Sequence, residues 1–145
     1  MTNMKQITIK VAWNNSAFEG LVSSETSYGE MKIVTKDFND IIDMGEAELK
    51  IGFDGYTEFG LELPEWYKNK EYEFVYKFQD VTAMLKAYSS YVSLAAISRE
   101  TGINSALLSH YANGLKVPRN KQQKIIVAGL HRIGALLSKC TIDDE

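Results

Sequence analysis

Cysteine is almost missing from this 145-residue chain: Cys140 stands alone. One cysteine excludes a disulfide framework and a cysteine-based zinc site. Two prolines and ten glycines exclude collagen-like and mucin-like chains. Long apolar runs are absent too, since the longest extends only from Ile125 to Leu130, far short of the roughly 18 residues a membrane-spanning helix needs. The first residues, Met1 to Gln6, lead directly into strand pattern without a secretory apolar stretch, so the expected compartment is the cytoplasm. What is present is a globular composition, 45% hydrophobic and 24% charged, which excludes disorder.

Charge of one sign is missing locally rather than overall. The net charge of −3 divides after Asp80: 8 Lys+Arg against 15 Asp+Glu through it, a net −7, and 8 against 4 beyond it, a net +4. Three of those four late acids are the terminal Asp143, Asp144 and Glu145, leaving Glu100 alone among the cations. A reversal of this size, coinciding with a change in hydrophobic period, predicts two domains, 1–78 and 79–145, with different partners.

The first domain reads as strands around a helix. Ile7, Ile9, Val11 and Trp13 alternate with polar or small residues, the period of a half-buried strand. Asn14-Asn15-Ser16 provides a turn, and Ala17 to Ser23 a second strand. Tyr28 to Val34 makes a third. Thr35 is the expected cap of a helix whose Phe38, Ile41, Ile42, Gly45 and Leu49 share a face. Gly52, Gly55, Gly60 and Pro64 are expected to form a loop. Tyr72, Phe74, Tyr76 and Phe78 then alternate along a final strand, either as core beneath the helix or as the wall of an effector pocket. This half has no histidine or cysteine, and its carboxylates show no metal-ligand or acid–base spacing. The expectation is a non-enzyme with no cofactor and no metal.

The second domain changes to helical period. Asp80 is a cap for a helix with Val81, Met84, Leu85 and Tyr88 on one stripe. Ser93 caps the next helix, Gly102 ends it in a left-handed conformation, and Asn104 caps another that stops at Asn113-Gly114. Two short helices about a glycine-centred turn follow the helix-turn-helix plan, with Ile97, Ile103, Leu108 and Tyr111 inward and Ser98 small at the crossing. Ser105, Ala106, Ser109 and His110 then face outward. Serine and histidine can hydrogen-bond base edges and Ala106 can meet a thymine methyl, but no Arg or Gln offers a bidentate contact. His110 has three readings: base contact, phosphate contact, or a solvent-exposed side chain. Lys116, Arg119 and Lys121, joined by Lys124, suit phosphates. A last helix from about Asn120 carries Ile125, Ala128, Gly129, Ile133, Leu136 and Leu137, an apolar surface that either closes the domain or pairs two subunits.

Tyr72-Glu-Phe-Val-Tyr-Lys-Phe, Ser93-Leu-Ala-Ala-Ile, Thr101-Gly-Ile-Asn, Leu107-Leu-Ser-His-Tyr-Ala-Asn-Gly and Pro118 together resemble the HicB-type antitoxins, in the Bacteroidetes-like form with a C-terminal helix-turn-helix. The resemblance covers most of the chain and is densest over 72–137. It implies an α+β fold: an N-terminal β-β-β-α-β partial RNase H-like domain lacking the catalytic acids, then an all-α helix-turn-helix domain. It implies neutralisation of a HicA-like, basic, mRNA-cleaving toxin by the acidic domain. It also implies autoregulatory repression, with double-stranded operator DNA bound by a homodimer or higher oligomer. The DNA-binding positions are then Ser93, Asn104, Ser105, Ala106, Ser109, His110, Lys116, Arg119 and Lys121. The other reading is a helix-turn-helix regulator whose N-terminal domain senses a small molecule or another protein, with no toxin partner.

Overall fold

The computed structural model describes residues 4–22 and 31–144. Parts of two expected elements, Ser23 and Tyr28 to Glu30, lie outside the described residues, as does Glu145. The chain is α+β and divides into two compact units, Met1–Ala83 and Met84–Glu145.

The first unit is built on a four-stranded mixed sheet of order β3-β2-β1-β4. The strands are β1 (Lys5–Trp13), β2 (Phe18–Val22), β3 (Met31–Thr35) and β4 (Tyr72–Phe78). β1 and β2 form a hairpin in which Asn14 Oδ1 accepts from the amides of Ser16 and Ala17, while Asn15 takes φ 80°. Asparagine suits both tasks, because its amide closes the turn and its backbone tolerates the left-handed region. β4 lies parallel to β1, which requires a crossover.

That crossover contains α1 (Phe38–Glu58) and the short α2 (Glu65–Lys68). The cap of α1 is Asp37, whose side chain accepts from Asn39 N, and not Thr35. Thr35 ends β3 instead; its hydroxyl accepts from Asp37 N and donates to Asp40 at 2.6 Å. The expected loop at Gly52 and Gly55 is also corrected, since both are buried inside α1. The apolar stripe continues past Leu49 to Phe53, which is 1% exposed, and its burial outweighs about 1 kcal/mol of propensity per glycine. Gly60, at φ 71°, begins the real loop.

α1 covers one sheet face. Ile7, Ile9, Val11, Phe18 and Ile33 point into it and meet Phe38, Ile41, Leu49 and Phe53. Gly45 permits the approach: a Cβ there would lie 2.9 Å from Ile9 Cδ1. Tyr72, Phe74, Tyr76 and Phe78 share this face and are half-buried, as expected on an edge strand. Phe38 contacts the rings of Tyr76 and Phe78 at 5.3 and 5.7 Å. Phe53, Tyr56, Trp66, Tyr67 and Tyr72 extend the aromatic packing to the far end.

The second unit contains α4 (Leu94–Thr101), α5 (Ser105–Ala112) and α6 (Asn120–Leu137); α3 (Val81–Tyr88) crosses the division between units. Asp80 caps α3 through Ala83 N at 2.8 Å. The second unit's buried residues include Leu85 and Ala87 of α3 together with Ile97, Ile103, Leu108, Tyr111 and Ile126. On α6 the closing residues are Ile126 and Gly129, whereas the expected Ala128 is exposed. Gly129 sits against α4, where a Cβ would meet Thr101 Cγ2 at 2.5 Å.

Thr101 cannot rotate freely away, because its hydroxyl donates to Ile97 O at 2.6 Å and accepts from Ile103 N. Gly129→Ala should therefore destabilise the chain by about 1–2 kcal/mol, overpacking exceeding the helix-propensity gain. Adding Thr101→Ser, which removes Cγ2, should recover part of the loss in chemical denaturation. Additive losses in the double variant would contradict this contact.

Candidate nucleic-acid interface

The α4–turn–α5 segment is assembled by three backbone devices. Ser93 caps α4 by accepting from Ala96 N. Gly102 ends α4 at φ 76°, a left-handed conformation that glycine enters without a side-chain penalty. Asn104 caps α5 by accepting from Ala106 N at 2.7 Å. Only Ile103 separates Gly102 from that cap, and it is buried beneath the turn.

These caps decide what remains to meet a ligand. The side-chain oxygens of Ser93 and Asn104 hold helix N-termini, so both residues position the segment before they recognise anything. Ser105 and Ala106 are exposed at the start of α5. Ser109 and His110 are half-buried rather than fully outward, and Ser109 Oγ lies 3.5 Å from Asn113 Nδ2. His110 Nδ1 is buried without a hydrogen-bond partner. The solvent-exposed reading of His110 is thus corrected: one edge of the ring faces the interior.

The basic residues lie beyond α5. Gly114, at φ 75°, reverses the chain, and the amides of Leu115 and Lys116 both donate to His110 O. Lys116, Arg119, Lys121 and Lys124 are all exposed, and none forms an ion pair among the described residues. Arg119 occupies the cap position of α6 but makes no side-chain capping bond, and the first turn holds no acid. That leaves the positive end of an 18-residue helix beside Arg119 and Lys121, a combination that favours an anion. A shallow groove of about 560 Å³ runs here between Tyr111, Val117, Arg119, Lys121, Gln122 and Ile125.

The lone acid of the segment is neutralised internally. Glu100 accepts from Arg132 Nε at 2.6 Å, and its carbonyl accepts from Nη2 at 3.0 Å. The pair ties α6 to α4 and removes the one local carboxylate that would repel a polyanion. Sequence reasoning missed this role; the 32-residue separation gives no local signal. It also missed the exposed apolar pair Leu115 (72%) and Val117 (81%) flanking Lys116.

Elsewhere, among the described residues, no group of three or more His, Cys, Asp or Glu side chains converges as a metal would require. No described helix is long and apolar enough to cross a membrane. Tyr72, Phe74 and Tyr76 line the helix-covered face of the sheet; the Tyr72 hydroxyl donates to Glu46 at 2.7 Å. Burial first, and that hydrogen bond second, raise the phenol above its ordinary value. Comparison of the chain with known protein families, with curated proteins and with solved structures finds no match.

Proposed function

We propose that this chain is a non-enzymatic, dimeric DNA-binding repressor and antitoxin of the HicB type. Its second unit grips operator DNA as a helix-turn-helix, and its first unit, partially RNase H-like, blocks a HicA-like RNase. The observation that carries the DNA half is the set Lys116, Arg119, Lys121 and Lys124, exposed and without an ion pair among the described residues, between the end of α5 and the open first turn of α6. Phosphate contacts of this kind fix register and orientation on a duplex. Ser105 and Ala106 reach base edges, with Ser109 and the outer edge of His110 adding contacts. Direct readout from such short side chains is modest, so DNA shape and half-site spacing contribute the rest.

Dimerisation is assigned to the end of α6. Leu136 and Leu137 are 71% and 61% exposed, on a helix whose earlier turns are already committed to the unit's core. Two-fold pairing there would present two copies of α5 to a palindromic site. For the antitoxin half, the support is the chain's resemblance together with the charge of α1. Its 21 residues carry six acids against Lys50 alone, and complementary charge steers a basic partner.

Single replacements Lys116→Ala, Arg119→Ala and Lys121→Ala should each flatten the log–log dependence of operator affinity on salt by about 1. Three unchanged slopes would refute the DNA assignment. Leu136→Asp with Leu137→Asp should convert dimer to monomer in sedimentation equilibrium while the far-ultraviolet spectrum stays native; a persistent dimer places the interface elsewhere. The adjacent reading frame should encode a small basic protein whose toxicity this chain suppresses on co-expression. No rescue by the intact chain would leave the sensing regulator as the better reading.

A further inference from the structure

With α1 on one side only, the opposite face of the sheet is open to solvent. The register places four of its side chains in one transverse row. Lys77 on β4 pairs with Lys10 on β1, Lys10 with Leu21 on β2, and Leu21 with Lys32 on β3. Three of the four are lysines in a unit whose net charge is strongly negative.

Directly paired strand residues stand about 5 Å apart at Cβ, and like charges so placed destabilise a sheet. Lys10 and Lys77 form such a pair, with no acid opposing either among the described residues. Glu19, which lines the same groove, is engaged by Lys32 Nζ at 3.4 Å and by Asn14 Nδ2 at 3.2 Å. The row crosses a groove of about 700 Å³, floored by Ala12 and Leu21 and ending at Gln79. That volume is typical of sites for small ligands.

We propose that this face is a binding site for a small organic dianion. The ligand's apolar body lies on Leu21 and Ala12, one acidic group sits between Lys10 and Lys77, and a second reaches Lys32. An anion between Lys10 and Lys77 converts their repulsion into two charge-assisted contacts. The site favours a compact ligand over single-stranded nucleic acid, because the aromatic side chains of β4 all face α1 and leave no stacking platform here. It is separate from the helix side of the sheet, the alternative location for an effector pocket, and does not depend on the DNA or toxin assignments.

Phosphate esters and dicarboxylates share the required chemistry, so both are tested. The full chain is titrated by calorimetry with the bis(methyl phosphate) ester of 2,6-dihydroxynaphthalene, with naphthalene-2,6-dicarboxylate and with uncharged 1-naphthol. Saturable binding of at least one dianion is expected, on the order of tenfold tighter than 1-naphthol, and the tighter dianion identifies the acidic group preferred. Lys10→Ala with Lys77→Ala should weaken it by on the order of tenfold, whereas Lys50→Ala, on α1 at the other side of the sheet, should leave it unchanged. Lys77→Glu places a carboxylate opposite Lys10, so it should hold or raise Tm and abolish binding. No saturable dianion binding, equal binding of 1-naphthol, unaltered affinity in the double alanine variant, or retained binding in Lys77→Glu would each overturn the site.

Discussion

One helix covers one face of a four-stranded sheet, and the first unit follows from that limit. The covered face must be continuously apolar, so it takes Ile7, Ile9, Val11, Phe18 and Ile33, with the β4 aromatics at its edge. Close contact is set by Gly45, where any side chain would press on Ile9. Everything polar is then sorted into two places, the outward side of α1 and the open side of the sheet. Six acids lie on α1, while Lys10, Lys32 and Lys77 share the open face with Glu19 and Glu73. The average charge of the unit therefore describes neither surface. A cationic partner and an anionic ligand are compatible with one small domain because its two outer surfaces have opposite character.

The second unit is governed by how backbone groups are satisfied at short helices. α4 and α5 have only eight residues each, so unpaired terminal amides form a large share of their hydrogen-bonding groups. Ser93 and Asn104 are committed to those amides, and Gly102 supplies the reversal between them. The caps hold α5 in place and commit two polar side chains to backbone amides. On the proposed DNA reading, recognition would fall to small residues on α5 and affinity to the cations after it, so the segment would grip the phosphate backbone more strongly than it discriminates sequence.

Legibility in the sequence followed the range of the interaction. The strand alternation of β1 and β4, the Asn14 turn and the caps at Ser93, Asn104 and Asp80 are local, and each was readable from neighbouring residues. The cap of α1 was misplaced by two positions because Thr35 and Asp37 are both good acceptors; the strand that ends at Thr35 decides between them. Gly52 and Gly55 read as loop because propensity is visible locally, whereas burial of Phe53 against the sheet is a tertiary effect. Ile126 and Ala128 were confused on α6 because its partner face on α4 is unknown until Thr101 and Gly129 meet. The Glu100–Arg132 pair and the Lys77–Lys10–Leu21–Lys32 row required strand or helix partners distant in sequence. The candidate phosphate contacts were identifiable because basic residues clustered from Lys116 to Lys124 need no tertiary information.

Those long-range pairings change the meaning of the charge pattern. In the basic segment, Glu100 is drawn into a structural ion pair, so its opposition to the surrounding cations is weaker than a residue count suggests. In the acidic segment, Lys10 and Lys77 are set against each other although fifteen acids lie in the same stretch of sequence. Simple stability would exchange one of them for Glu or Thr, as cross-strand energetics favour. Retaining both gives up a few tenths of a kcal/mol to about 1 kcal/mol in the empty unit, a cost that an anion on the open face reverses. The same reasoning applies to α1, whose last turn holds Glu58 and no base at the negative end of its dipole. On the proposed reading, each surface would be more favourable opposite a complementary charge than alone, and the two would meet partners of opposite sign.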